Sequence, residues 1–256
     1  MKSRQNVRDG EKTSAKLFEL LELVVSRKRP VPGKQAAALS GLPVSTTFRL
    51  LKFLTDQGYL QKTDQGYSAG LGLVRLGMLA AEANPLLHAA RPFLLELSQQ
   101  TMETVHLAQL QGTQAVYVDK VEGSRPVRMC SLIGHCAPLY CTGVGKAILA
   151  FLPPEEAAKL IYTLDFEKFT ETTLVSRRQL IRELNKIRVE GYALDQCEHE
   201  PGVYCVAVPV LDREDFVIAG ISVSGSEVYL KPRKAEIAAM LLETSSRISR
   251  ELYPGA

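Results

Sequence analysis

The chain has 256 residues, 46% of them hydrophobic and 23% charged, with a formal net charge of +3. That length suits one large domain or two small ones, and the balance excludes disordered, collagen-like and disulfide-scaffold classes. The apolar runs are short and the opening MKSRQNVRDG is polar, so neither a membrane span nor an export leader is expected, and the expected compartment is the cytoplasm.

The five cysteines, Cys130, Cys136, Cys141, Cys197 and Cys205, form no CxxC pair; in a reducing compartment they are expected to stay free thiols. The charge is unevenly spread. Residues 1–79 hold 13 Lys+Arg against 6 Asp+Glu, whereas the remainder holds 18 against 22. A basic first third on an acidic remainder points to an N-terminal module that meets a polyanion, nucleic acid above all.

In chain order, Ser14–Ser26 carries Leu17, Leu20, Leu21, Val24 and Val25 at the spacing of one buried helical face. Prolines in Arg27–Pro32 break it. Gly33–Ser40 is a short Ala-rich helical stretch, Gly41-Leu42-Pro43 a tight connection, and Val44–Gln57 a further helix. In that last helix Val44, Phe48, Leu51 and Leu54 are expected to face a core, with Ser45, Arg49, Lys52 and Asp56 along the opposite side.

Residues 58–62 and 66–68 flank Thr63-Asp64-Gln65 and read as a small hairpin. Three helices and a hairpin predict a winged helix-turn-helix, in which the final helix enters the major groove and Lys/Arg side chains grip phosphates. The DNA-facing set expected from this pattern is Ser45, Thr46, Thr47 and Arg49 near base edges or adjacent phosphates, with Lys52 and Lys62 mainly on phosphates. Leu71–Ala83 is apolar on more than one side. It reads either as a linker helix paired with a second chain, which would suit palindromic DNA, or as a helix packed on its own second domain.

From Glu103 the period changes. Thr104–Leu110, Ala115–Val121, Val127–Leu132, Val203–Val210 and Phe216–Val223 read as strands, while Gly143–Phe151, Arg177–Glu190 and Lys231–Leu252 read as helices. Strands with helices at irregular intervals predict an α+β domain on a largely antiparallel sheet. The expected boundaries are 1–70 for the DNA-binding domain, 71–84 for the linker helix and 85–256 for the second domain.

In the second domain Thr142-Gly143-Val144-Gly145-Lys146-Ala147 is a Gly-rich turn opening a helix, whose free N–H groups could receive a carboxylate. It is not a phosphate-binding P-loop, because Tyr140 stands where the first glycine belongs and Ala147 where the metal-binding hydroxyl belongs. Ser222 and Ser224 alternate with Val223, which puts both hydroxyls on one strand face. Asp195 and Cys205 could complete a small polar pocket, the acid needing a hydroxyl, hydrate or protonated group opposite it.

Two rival chemistries use the same residue types. Cys141 with His106, His135, His199 and Asp195 would make a thiol enzyme, yet no nucleophile motif frames them. Cys130, Cys136, Cys141, His135 and His199 would make a metal or redox sensor, yet the paired ligand spacing is missing. No catalytic residue, metal or cofactor is expected.

The chain resembles the IclR family of bacterial transcriptional regulators over nearly its whole length. The resemblance rests on LPVSTTFRLLKFLTDQGYL (42–60), APLYCTGVGKAILAFLP (137–153), EGYALDQCEHEPGVYCVAVPVLD (190–212) and VIAGISVSG (217–225). It implies a winged-helix domain, a linker helix and a GAF-like effector-binding domain, assembled as a dimer or a dimer of dimers. It also implies repression or activation at an operator, responsive to a small metabolite. By resemblance the effector contacts fall on Gly143, Val144, Asp195, Cys205, Ser222 and Ser224. The STTFRLL, RMCSLIG, TGVGKA and SVSG segments are most similar to the branch of the glyoxylate-responsive allantoin-pathway repressor, and sugar-acid regulators share much of that pattern.

Overall fold

The computed structural model describes residues 9–125 and 130–254. It divides into two compact units, Met1–Ala83 and Asn84–Ala256. In the first, α1 (Asp9–Val25), α2 (Gly33–Ser40) and α3 (Val44–Asp56) precede the hairpin β1 (Leu60–Thr63) and β2 (Gly66–Ala69), and α4 (Leu71–Glu82) follows. Gly41 closes α2 at φ 65°, a left-handed conformation natural to glycine, and Pro43 sets the start of α3. A two-residue turn, Asp64-Gln65, joins the antiparallel strands. Tyr67 of β2 exchanges backbone hydrogen bonds with Val31, which ties the hairpin to the α1–α2 connection.

The core of this unit gathers Leu20, Val24, Ala36, Leu50, Leu51, Leu54, Leu60 and Tyr67. The buried face of α3 is Thr47, Leu50, Leu51 and Leu54, an i, i+3, i+4, i+7 stripe. This corrects the expected core face at two positions: Val44 and Phe48 are 57% and 40% exposed. The Phe48 ring lies over Gly33, where a β-carbon would come within 2.7 Å of it. Along α4 no residue is buried, and Leu71, Val74, Leu76, Met78 and Leu79 are exposed.

The second unit is built on one antiparallel sheet of six strands in the order β5-β4-β3-β8-β7-β6. These are β3 (Thr104–Gln111), β4 (Gln114–Val121), β5 (Cys136–Pro138), β6 (Ala193–Gln196), β7 (Val203–Leu211) and β8 (Val217–Ser226). On one face α5 (Pro85–Thr101) and α10 (Lys234–Leu252) bury Leu94, Leu97, Ile237, Leu241 and Ile248 against Val206, Val208 and Ile221. On the other face α6 (Gly143–Phe151), α7 (Pro154–Thr163) and α8 (Arg177–Glu190) bury Val144, Ile148, Leu180 and Leu184 against Ala108 and Ala207. The sheet is sandwiched between helices, the α+β arrangement that the irregular strand–helix alternation predicts.

Three elements escape the sequence pattern: β5 and β6, with three and four residues, are too short to show a period, and α7 starts behind the Pro153-Pro154 pair. The short α9 (Glu227–Leu230) and a 3-10 turn at Lys231–Arg233 precede α10, so the regular helix starts at Lys234 rather than Lys231. Of the strand expected over Val127–Leu132, residues 127–129 lie outside the described residues, and 130–132 are irregular rather than extended into the sheet. No helix among the described residues is long and apolar enough to cross a membrane.

Candidate functional site

The polar residues singled out by the sequence fall in two regions. The first is the outer side of α3 with the hairpin. Ser45, Arg49, Lys52 and Lys62 are exposed, and Thr46 is half-buried. Thr47 is corrected: it is fully buried, and its hydroxyl donates to the Pro43 carbonyl at 3.2 Å, so it stabilises the first turn of α3 from within instead of facing outward. Lys52 is not a free cation either, since its Nζ lies 2.8 Å from Asp56 Oδ2 one turn on. An exposed i, i+4 pair of this kind contributes a few tenths of a kcal/mol.

The second region is a cavity of about 40 Å³ in the second unit, room for roughly three waters. All six residues expected to contact an effector line it: Gly143, Val144, Asp195, Cys205, Ser222 and Ser224. Strand register explains how residues so far apart in sequence meet. Asp195 on β6 pairs with Cys205 on β7, which pairs with Ser224 on β8; Ser222 in turn pairs with His106 on β3. Residues level across adjacent strands point to one face, so these side chains form a polar strip on the side that α6 covers.

Close seating of α6 completes the wall. A β-carbon on Gly143 would come within 2.7 Å of Cys205 Sγ and 3.2 Å of Ala207 Cβ, and one on Gly220 within 3.2 Å of the Val144 carbonyl oxygen. Small residues at 143, 207 and 220 therefore let the helix backbone lie directly on the sheet. Thr142 caps it, its Oγ1 accepting from Gly145 N–H at 3.2 Å. The N–H groups of Gly143 and Val144, in the first turn, have no helical acceptor and carry the positive end of the helix dipole.

Sequence reasoning left part of the wall unassigned: Tyr117 and Glu200 line the cavity unforeseen, with His106 and His199, named only for the rival chemistries, and Thr142, named only as the head of the Gly-rich turn. His106 Nε2 lies 2.7 Å from Ser131 Oγ, and its Nδ1 lies 3.5 Å from Ser224 Oγ. Burial, with Lys120 nearby, brings its pKa down to about 3, so the imidazole is neutral. Cys205 is pushed up to about 12 by burial, and burial likewise raises the Cys141 thiol. Both shifts run opposite to what a thiolate nucleophile needs. Cys130 and Cys136 are exposed while Cys141 is buried, so the thiols pooled in the metal-sensor alternative are spread over different environments.

Beneath the cavity Lys146 is fully buried, its Nζ bonded to Glu198 Oε1, with Glu183 Oε1 3.9 Å away. Lys146 thus carries internal charge and is not a ligand-facing cation, the role that a GxGK-like spelling suggests. Asp195 Oδ1 accepts from Glu198 N–H at 2.7 Å. Burial, reinforced by the Glu198 charge, pushes the Asp195 carboxyl up to about 7.

A helix-turn-helix with a wing, joined in one chain to an α+β unit that holds a polar cavity, defines a two-part DNA-binding protein. The models of the IclR helix-turn-helix domain and of the bacterial transcriptional regulator IclR C-terminal domain match residues 14–64 and 78–250. The chain belongs to the IclR family of bacterial transcriptional regulators. It is 32% identical to the HTH-type transcriptional regulator KdgR of Escherichia coli K12, over 95% of this chain and 94% of KdgR. It is 37% identical to the HTH-type transcriptional repressor AllR of Klebsiella pneumoniae, over 82% and 79% of the two chains. The crystal structure of the Thermotoga maritima IclR superposes with a TM-score of 0.74 at 33% identity, covering 94% of this chain and 98% of that one.

Proposed function

We propose that this protein is an operator-binding repressor whose grip on DNA is set by a small carboxylate held in the cavity beside the N-terminus of α6. The observation that carries the reading is the convergence there of free helix N–H groups with the Ser222, Ser224 and Cys205 donors. Backbone N–H groups at a helix start and hydroxyls suit an anionic oxygen pair. The small volume favours an acid of roughly two or three carbons, such as glyoxylate, over a sugar acid. The likeness to AllR, a named repressor, supports the sign of regulation.

On the DNA side, Ser45, Thr46 and Arg49 approach base edges or adjacent phosphates, while Lys52 and Lys62 serve phosphates. The exposed apolar residues of α4 pair with those of a second copy, and the homo-oligomer reads a palindromic site.

The test is retardation of DNA fragments from the protein's own promoter region, with and without glyoxylate. The wild type is expected to bind and to release on addition of the acid. Ser222→Ala combined with Cys205→Val should bind DNA as tightly yet respond weakly. A double variant that responds normally would show that the effector sits elsewhere.

A further inference from the structure

The cavity has an electrostatic imbalance that a carboxylate ligand makes worse. Of the groups around Asp195, α6 contributes Lys146, whose ammonium is already taken by Glu198. The turn after β6 contributes Glu198 itself, which is 4% exposed and has no hydrogen-bond partner on Oε2, together with His199 and the half-buried Glu200. The residue before the capping Thr142 is Cys141; β7 contributes Cys205, β4 Tyr117 and β3 His106, all neutral near pH 7 by the direction of their shifts. Burial also holds His199 below its ordinary range, on the neutral side. Among the described residues no Lys or Arg lies within 4.0 Å of Asp195. Its carboxylate is held by backbone N–H alone and is itself 95% buried, at 5% relative exposure.

An anion entering beside an ionised, buried and unpaired Asp195 brings two like charges together in a space of about 40 Å³. Few waters fit there to screen them, and among the described residues the nearby ammonium groups are already paired, Lys146 with Glu198 and Lys120, at the wall beside Ser131, with Glu122. Resting on the carboxylate reading above, we propose that entry of a small carboxylate is coupled to uptake of one proton by Asp195. The proton comes from solvent, the ligand stays an anion, and Asp195 changes from acceptor to O–H donor toward it. The charge enclosed by the cavity is the same before and after. The site is therefore a proton-coupled anion receptor, and its affinity falls as the medium becomes alkaline.

Calorimetric titration of the full chain with glyoxylate at pH 8, in phosphate and in Tris, tests this, because the two buffers release a proton with different heats. The expected result is a buffer-dependent heat corresponding to about one proton taken up per ligand, with Kd weakening toward about tenfold per pH unit above neutrality. Asp195→Asn should bind with a Kd that no longer depends on pH. Identical heats in the two buffers for a wild type that does bind would overturn the coupling and leave the carboxylate reading intact. Proton uptake that persists in Asp195→Asn would overturn the assignment to this residue. Should that variant fail to fold, Asp195→Ser takes its place in the same two-buffer titration. If glyoxylate, pyruvate and acetate all fail to bind the wild type, the carboxylate reading fails and this inference goes with it.

Discussion

The outer side of α3 and the wall of the cavity use the same chemical vocabulary, hydroxyls and charged side chains, under opposite conditions. On α3, Ser45, Arg49 and Lys52 stand in water. There each group retains most of its hydration, ion pairs are weak, and polar residues can be exchanged at little cost to the fold. In the cavity Asp195, Ser222, Ser224 and His106 are buried, and Lys146 below them is fully so. There burial moves the titration of Asp195 and His106 away from their ordinary ranges, and polar groups bond to neighbours rather than to water. In the proposed function one surface meets a large charged partner and the other a few atoms.

The difference can be pressed hardest at Lys146. Lys146→Met strands Glu198 as an unpaired buried charge and should destabilise the second unit by about 3–5 kcal/mol, read by urea denaturation. A loss under 1 kcal/mol would mean that water reaches the pair. Next is Arg49→Ala, which should weaken operator binding by about 1–3 kcal/mol if it reads a guanine, while changing the unfolding midpoint hardly at all. A large stability loss there would erase the contrast between the two regions.

The contrast also reaches the pH dependence of stability. Asp195 is raised in the folded state from 3.8 to about 7, so between these values the folded form holds the extra proton and this group makes stability fall as pH rises. His106 is lowered from 6.5 to about 3, so between those values the unfolded form holds the extra proton and this group makes stability rise with pH. From about pH 4 to 6.5 the two slopes oppose each other. His106→Gln removes the rising one, and its denaturation midpoint measured across that window should decline with pH relative to the wild type.

The same contrast decides what the sequence could disclose. Arg49 and Lys62 were legible because exposure of charged residues follows helical and hairpin periods directly. Thr47 was not, because a hydroxyl that bonds its own backbone can sit in a core, and composition treats it as surface. Ser222 and Ser224 were legible from alternation along one strand. His106 and Tyr117 were hidden because their place in the cavity depends on the order β4-β3-β8, a pairing across more than a hundred residues that local pattern does not encode. Asp195 lies on a four-residue strand with no readable period and was found through resemblance, while the internal pairing of Lys146 with Glu198 gave no signal at all.

The seam of small residues under α6 has a mechanical consequence. With Gly143 on Cys205 and Ala207, and Val144 on Gly220, the helix has no slack toward the sheet. A molecule that crowds its first turn cannot press it inward and must push it away as a stiff rod. The rod is moored to α8, where Arg188 Nε donates to the Ala150 carbonyl at 2.7 Å. In the proposed function, strain applied at one end of α6 reaches α8 at the other, about two turns from the molecule that caused it.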